Sequence, residues 1–402
     1  MFRNEMKKLL THPVLWCLFI VCMLYNLFLL WVHVEPMREE LLVVHKLAAE
    51  TVTESRSGGK LIERSGGKSD GKSTERSGGK SNEKSDAEKR IEEIYTAGSL
   101  EASELYDRVN MIEIKDLKEE LQEYHPKGTY KRYIDTGYER LQRRVEEIRK
   151  NGEEMQAFYP GIYYELHNVL YHRIIKPVLL EMMLIMSIGI LFLMDYERMQ
   201  KTGELVYSSK AGRRIQKIKI KAGLSTGFLF CIVLLFSVLA IYFSKISYQG
   251  LWDVSVSSAM LAEYRGILFY PFITYVPMNI WQYLLATITI ALLLVLVIGL
   301  LTAGIYLFLQ NSYFSFLLEI LLLFFFRFLA EYSTVTFWDV ICKMNPTMLW
   351  FYCGRWFMEE NLELCFPGNE ALSLAIQFLA AGIVLCLVYR KFLKSDIIEK
   401  NL

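Results

Sequence analysis

What this 402-residue chain lacks first is a catalytic set. Its six histidines, His12, His33, His45, His125, His167 and His172, are scattered. His167 and His172 stand five apart, which does not align them as i,i+4 metal ligands on a helix. Neither G-x-S-x-G nor H-E-x-x-H occurs, so serine-elbow hydrolysis and zinc-helix proteolysis are without their residues. The net charge of +1 says little, because opposite signs fall in different segments. Long stretches lack charge almost entirely, and that absence is the informative one. The chain is 53% hydrophobic yet 22% charged, the balance of a membrane protein with a large water-exposed part.

Six apolar runs are long enough to cross a bilayer as helices: Val14–Val34, Val178–Met194, Leu224–Phe243, Tyr283–Ala303, Phe314–Ala330 and Leu372–Tyr389. Between the second and third lies a polar island, Asp195–Gly223, rich in basic residues: Arg198, Lys201, Lys210, Arg213, Arg214, Lys217, Lys219 and Lys221. A short loop of this kind is held on the cytoplasmic side during insertion. Both termini then fall inside, with Arg3, Lys7 and Lys8 at one and Arg390, Lys391, Lys394 and Lys400 at the other. The short outer loops hold only Lys245, Arg265, Lys343 and Arg355, which supports the same orientation. The first run is too long for a signal-peptide core, and no small-residue cleavage pattern follows in Val34-Glu35-Pro36-Met37. Before it, Phe2, Met6, Leu9 and Leu10 share a helical face beside Arg3, Lys7 and Lys8, the pattern of a short interfacial helix.

Three regions follow: 1–34 with the first span, 35–176 outside the membrane, and 177–402 with five spans and an inner loop at 195–222. The outer segment continues the first helix through Met37, Leu41, Val44 and Ala48. From Ser55 to Lys89 it is Ser, Gly, Lys, Glu and Arg, and is expected to be disordered. Gly66–Ser73, GGKSDGKS, matches the P-loop pattern. Its flanks form neither the strand nor the helix that would converge backbone N–H groups on phosphate, so no nucleotide binding is expected. Leu105, Val109, Ile112, Leu117 and Leu121 form a loose helical stripe. Ile134, Tyr138, Leu141, Val145 and Ile148 alternate four and three, a coiled-coil seam.

Glu181, Glu319 and Arg327 fall within spans, where a charge by default faces a cavity, a partner helix or another charge. They are the candidates for a translocation path. Glu181 is close enough to the outer end to snorkel there. Arg327 stands four before Glu331, as an i,i+4 pair would. The segment Glu331–Glu370 carries Phe337, Trp338, Trp350, Phe351, Tyr352, Trp356 and Phe357 around Asn345-Pro346. That density predicts short helices at the outer interface rather than a solvated loop. It also holds Cys342, Cys353 and Cys365, among which three disulfide pairings exist and the sequence does not choose. Cys17, Cys22, Cys231 and Cys386 lie in spans and read as small apolar residues.

The island after span two resembles the signature of the type 2 permeases of ATP-binding-cassette (ABC) exporters. It carries Glu197 just inside the membrane, Gly203, the pair Ser208-Ser209, Arg213, and Lys221 opening span three. The family often has proline after the Ser/Thr pair, where this chain has Lys210-Ala211-Gly212. The resemblance implies an all-α integral membrane protein of six transmembrane helices, with a helical extracellular domain between the first two. It implies an interfacial N-terminal helix and short re-entrant helices before the last span. The inner segments are too short for an ATPase domain, so ATP and magnesium are expected on a separate ABC ATPase subunit, with no cofactor in this chain. That subunit is expected to grip Glu197, Gly203, Glu204, Ser208, Arg213 and Lys221. A second permease copy or a paralogous permease is expected beside it in the lipid bilayer, and no nucleic acid. The expected role is export of an amphipathic, peptide-like or lipid-like substrate, such as an antimicrobial compound, across a bacterial cell membrane. It is that of a transport subunit and not an enzyme. The alternative is a non-transporting surface protein on the same scaffold, a secretion accessory or receptor.

Overall fold

The computed structural model describes residues 1–62, 128–153, 166–202, 205–206, 212–258, 263–265, 268–270, 272–331, 337–358 and 367–394. Helix α1 (Phe2–Thr11) stops at His12, whose extended backbone (φ −84°, ψ 130°) turns the chain. Helix α2 (Pro13–Ile62) opens on a proline, which suits a first turn because its missing N–H has no partner there anyway. It runs past Pro36 and takes in Ser55–Ile62, the start of the tract expected to be disordered. Extending an existing helix costs far less than nucleating one, so a polar stretch can be carried along. The rest of that tract, the P-loop match and the Leu105–Leu121 stripe lie outside the described residues.

Helix α3 (Gly128–Lys150) buries Tyr138, Leu141, Val145 and Ile148, the four-three stripe of the sequence. A π-helical stretch, Asn168–Ile175, passes directly into α4 (Lys176–Met199). A 3₁₀ turn, Gly212–Arg214, leads into α5 (Ile215–Lys245). A small antiparallel hairpin, β1 (Glu263–Arg265) with β2 (Leu268–Tyr270), interrupts an otherwise helical fold. Then come α6 (Ile280–Leu309), α7 (Ser312–Glu331), the short α8 (Phe337–Lys343) and α9 (Pro346–Phe351), and α10 (Asn369–Lys394). Six helices are long and apolar enough to cross a membrane: Pro13–Glu39, Asn168–Met199, Gly212–Lys245, Ile280–Leu309, Ser312–Glu331 and Asn369–Lys394.

The caps explain two of the starts. Asn279 accepts from the third residue of α6, while Gln282 returns a bond to the Asn279 N–H at 2.9 Å, a capping box. Asn345 Oδ1 accepts from Met348 N at 2.9 Å, and Pro346 fills the first helical position of α9. The break foreseen at Asn345-Pro346 is thus the junction of two short helices.

The bundle is organised around α4, whose most apolar window is 72% buried against 17% for α7. Among apolar helices in a bilayer, close packing of small residues replaces the hydrophobic drive. Gly299 of α6 shows this. A Cβ there would lie 2.6 Å from Leu224 Cδ2 of α5 and 3.0 Å from Met186 Cγ of α4. Gly227 of α5 meets the same methionine, with Met186 Sδ 2.8 Å from where its Cβ would be. The three central helices therefore touch at one level. Helix α1 packs against α5 and α4 instead of extending α2. Helix α7 turns Phe314, Leu321, Phe324 and Phe328 outward.

Candidate functional site

The basic island is less of a loop than its composition suggests. Helix α4 extends through Asp195 and Glu197, and α5 begins at Ile215, so both carboxylates and Lys219 are held on helices. Two residues apart, Asp195 and Glu197 point to opposite sides of α4. Glu197 faces α1 and α5. It pairs with Lys219 of α5 and accepts from Lys8 Nζ of α1 at 3.1 Å. Lys8 also bonds Glu5 Oε1 at 2.7 Å and stands over the Tyr196 ring at 4.9 Å. Lys219, fully buried, gives a further bond to the Leu193 carbonyl at 2.8 Å. The helix end is thus held by a chain of alternating charge, Glu5–Lys8–Glu197–Lys219, across three elements.

Asp195 ties the same helix end to the other side of the bundle. It is 1% exposed, accepts from Tyr306 OH of α6 at 2.9 Å and Ser312 Oγ of α7 at 2.7 Å, and pairs with Arg198 at 2.9 Å. Arg198 also donates to the Gln310 carbonyl at 2.9 Å, at the α6–α7 turn. Buried charges persist only when paired and hydrogen-bonded, and every one here is. The result is a rigid ionic node at which α1, α4, α5, α6 and α7 meet.

The expected coupling residues fall around this node unevenly. Glu197 is at its centre. Arg213 lies at its edge, donating to the Phe392 carbonyl at 2.9 Å and stacking 5.7 Å from the Phe392 ring, which links the 3₁₀ turn to the end of α10. Lys221 is exposed; the lysine buried against Glu197 is Lys219, two residues earlier. Its signal was in the sequence: Ile215, Lys219, Ala222 and Thr226 lie on one stripe of α5, all of them buried. Gly203, Glu204 and Ser208 lie outside the described residues. Between them, Leu205 stands 73% exposed.

The intramembrane charges are not brought together. Glu181 does not snorkel; it is buried and hydrogen-bonded to Asn26 of α2, which also donates to the Cys22 carbonyl at 2.9 Å. Glu319 is 2% exposed and accepts from Ser187 Oγ of α4 at 2.7 Å and Thr302 Oγ1 of α6 at 2.9 Å. Arg327 pairs with Glu331 at the solvent- or lipid-exposed surface of the bundle and stacks 4.6 Å from the Phe351 ring. An apolar groove of about 680 Å³ runs between α6 and α10, walled by Leu285, Ala286, Leu293, Leu374, Ala375 and Phe378. No family model, curated protein or solved structure matches the chain.

At the end away from the node, polar contacts lock the connecting segments. Arg144 of α3 grips Glu153 through both terminal nitrogens, at 3.1 and 2.8 Å, and donates to the Thr274 carbonyl at 2.8 Å. Burial alone would raise the Glu153 pKa, but hydrogen bonds from Arg144, Asn151 and Ser255 outweigh it and hold it below the ordinary carboxylate value. His167 Nε2 meets the Gly354 carbonyl at 3.1 Å with its ring against Phe272, centroids 4.0 Å apart. Burial pushes the His167 pKa down to about 3. Cys342 and Cys353 are buried, and Cys365 lies outside the described residues. Among the described residues, no group of three or more His, Cys, Asp or Glu could hold a metal ion.

Proposed function

We propose that this chain is the membrane-spanning permease subunit of an ABC exporter, driven by a separate ATP-binding subunit that docks on the basic segment after the second span. The observation that carries the reading is the ionic node. The segment that a partner could grip is rooted in Glu197 and Lys219, so a push on it is delivered to several helices at once rather than absorbed in a floppy loop. Leu205 supplies an exposed apolar contact within that segment, and Arg213 joins the segment to the last span. ATP and magnesium belong to the partner subunit. The permease works beside a second copy or a paralogous permease, with both termini and the basic segment in the cytoplasm of a bacterial cell. An amphipathic substrate, peptide-like or lipid-like, suits a chain whose intramembrane carboxyls are already hydrogen-bonded within the bundle and whose groove between α6 and α10 is apolar.

The test is recovery of an ATP-hydrolysing subunit with the affinity-purified chain, and its loss in Glu204→Lys and Arg213→Glu. Both substitutions leave most of the basic segment intact, so insertion is expected to be unchanged. Normal recovery of the subunit in both variants would remove the coupling role. Absence of any ATP-binding partner from the parent would favour a non-transporting surface protein.

A further inference from the structure

Charge at the node end is sorted by depth. Among the described residues there, every acid is buried: Glu5, Asp195 and Glu197. The described exposed charges at that end are cations, among them Arg3 and Lys7 on α1, Arg198 on α4, Arg214, Lys217 and Lys221 at the start of α5, and Arg390, Lys391 and Lys394 on α10. Arg214, Lys217 and Lys221 recur at three and four and so form one outward stripe. On α1 the sorting is sharpest. Its only acid, Glu5, is turned inward onto Lys8, and Leu9 is buried with it. What α1 shows outward is Arg3 and Lys7 beside Met1 and Phe2, which are 64% and 42% exposed. At the joint with α2, Trp16 is 46% exposed and its indole N–H donates to the Leu10 carbonyl at 2.7 Å. Cations and a half-exposed phenylalanine on one short helix, with a tryptophan at the start of the next, where apolar spans end, match the chemistry of a headgroup layer.

We propose that α1 and the outward stripe of α5 form a docking surface for anionic phospholipid headgroups. The phosphates meet Arg3, Lys7, Lys217 and Lys221, while Met1 and Phe2 enter the acyl boundary beside them. Charge complementarity selects this partner: among the described residues at this end every acid is withdrawn from the surface, so the exposed groups there that an anionic headgroup meets are cationic. The surface is fixed in place by the Lys8–Glu197 contact, so lipid binding and the ionic node share one helix. The proposal stands independently of any ATP-binding partner.

The full chain is reconstituted in nanodiscs of equal phosphatidylglycerol and phosphatidylcholine, then extracted, and the retained lipids are quantified by mass spectrometry. The parent is expected to retain phosphatidylglycerol above its share in the disc. Arg3→Gln/Lys7→Gln and Lys217→Gln/Lys221→Gln are each expected to lower that enrichment by about fivefold or more, since one cation at an anionic surface contributes roughly that factor. Lys245→Gln, at the opposite end of α5, is expected to leave it unchanged. An unchanged unfolding midpoint in each double variant would show that the node is intact. Retention at the disc ratio by the parent, or parental enrichment in both double variants, would overturn the proposal. So would loss of an ATP-binding subunit from Arg3→Gln/Lys7→Gln without any change in lipid, which would assign the face to a protein.

Discussion

Removing either partner of the Glu197–Lys219 pair should destabilise the chain, and the two removals should differ in a way the geometry dictates. Stranding one charge of a buried pair costs about 3–5 kcal/mol. Lys219→Met leaves Glu197 with Lys8 at 3.1 Å, a partner that is itself partly exposed, so its cost should sit near the lower end, about 3 kcal/mol. Glu197→Gln leaves a fully buried ammonium facing the Leu193 and Met194 carbonyls at 2.8 and 3.4 Å and an amide oxygen, with no carboxylate bonded to it, so its cost should approach about 5 kcal/mol. The double variant Glu197→Gln/Lys219→Met removes both buried charges and should recover much of the loss, because an apolar replacement of a buried pair is often close to neutral. Reversible unfolding in mixed micelles, followed by tryptophan fluorescence, gives all three values. High salt should change none of them much, since Lys219 is out of contact with solvent. Singles within about 0.5 kcal/mol of the parent, or a double as costly as their sum, would refute the reasoning.

Three further outcomes follow from other parts of the molecule. Gly354 holds φ +94° with the His172 ring 2.7 Å from where a Cβ would stand, so Gly354→Ala should cost at least about 2 kcal/mol, and a fully folded parental midpoint would contradict that. His167 binds its proton less readily folded than unfolded, so stability is full above pH 6.5 and falls as pH drops toward 3. The slope between pH 6 and pH 5 should approach about 1.4 kcal/mol per unit, and His167→Phe should flatten it, with an unchanged slope counting against this origin. Glu153 is held below its ordinary pKa, so its contribution is present above about pH 4.3 and lost as pH falls further, on top of the His167 loss; Arg144→Met in a His167→Phe background should abolish that acid loss, which unfolding between pH 5 and 3 would detect.

The spans were legible because hydrophobic runs of that length have one economical use, and each observed helix contains the run read from sequence. Arg327–Glu331 was legible too, since both partners lie on one helix turn. The ends were not. Hydropathy falls away at Asp195 and recovers at Leu224, yet helical hydrogen bonding continues to Met199 and resumes at Ile215. Charges can extend a helix into the bundle when partners from elsewhere neutralise them, and those partners are distant in sequence. Lys8 reaches Glu197 across 189 positions, and Asn26 reaches Glu181 across 155. That is why Glu181 read as close enough to the outer end to snorkel, and why the Glu197–Lys219 pair was not read from the sequence.

The most direct test of the central claim is a photo-crosslinker placed at Leu205, an exposed apolar position of the basic segment. Irradiation of membranes is expected to yield an adduct with a polypeptide that peptide sequencing identifies as an ATP-binding subunit, and its yield should change between ATP-loaded and nucleotide-free membranes. The same crosslinker at Gln249, exposed beyond the far end of α5, should give no such adduct. Failure to capture an ATP-binding polypeptide from position 205, or equal capture from both positions, would contradict the account.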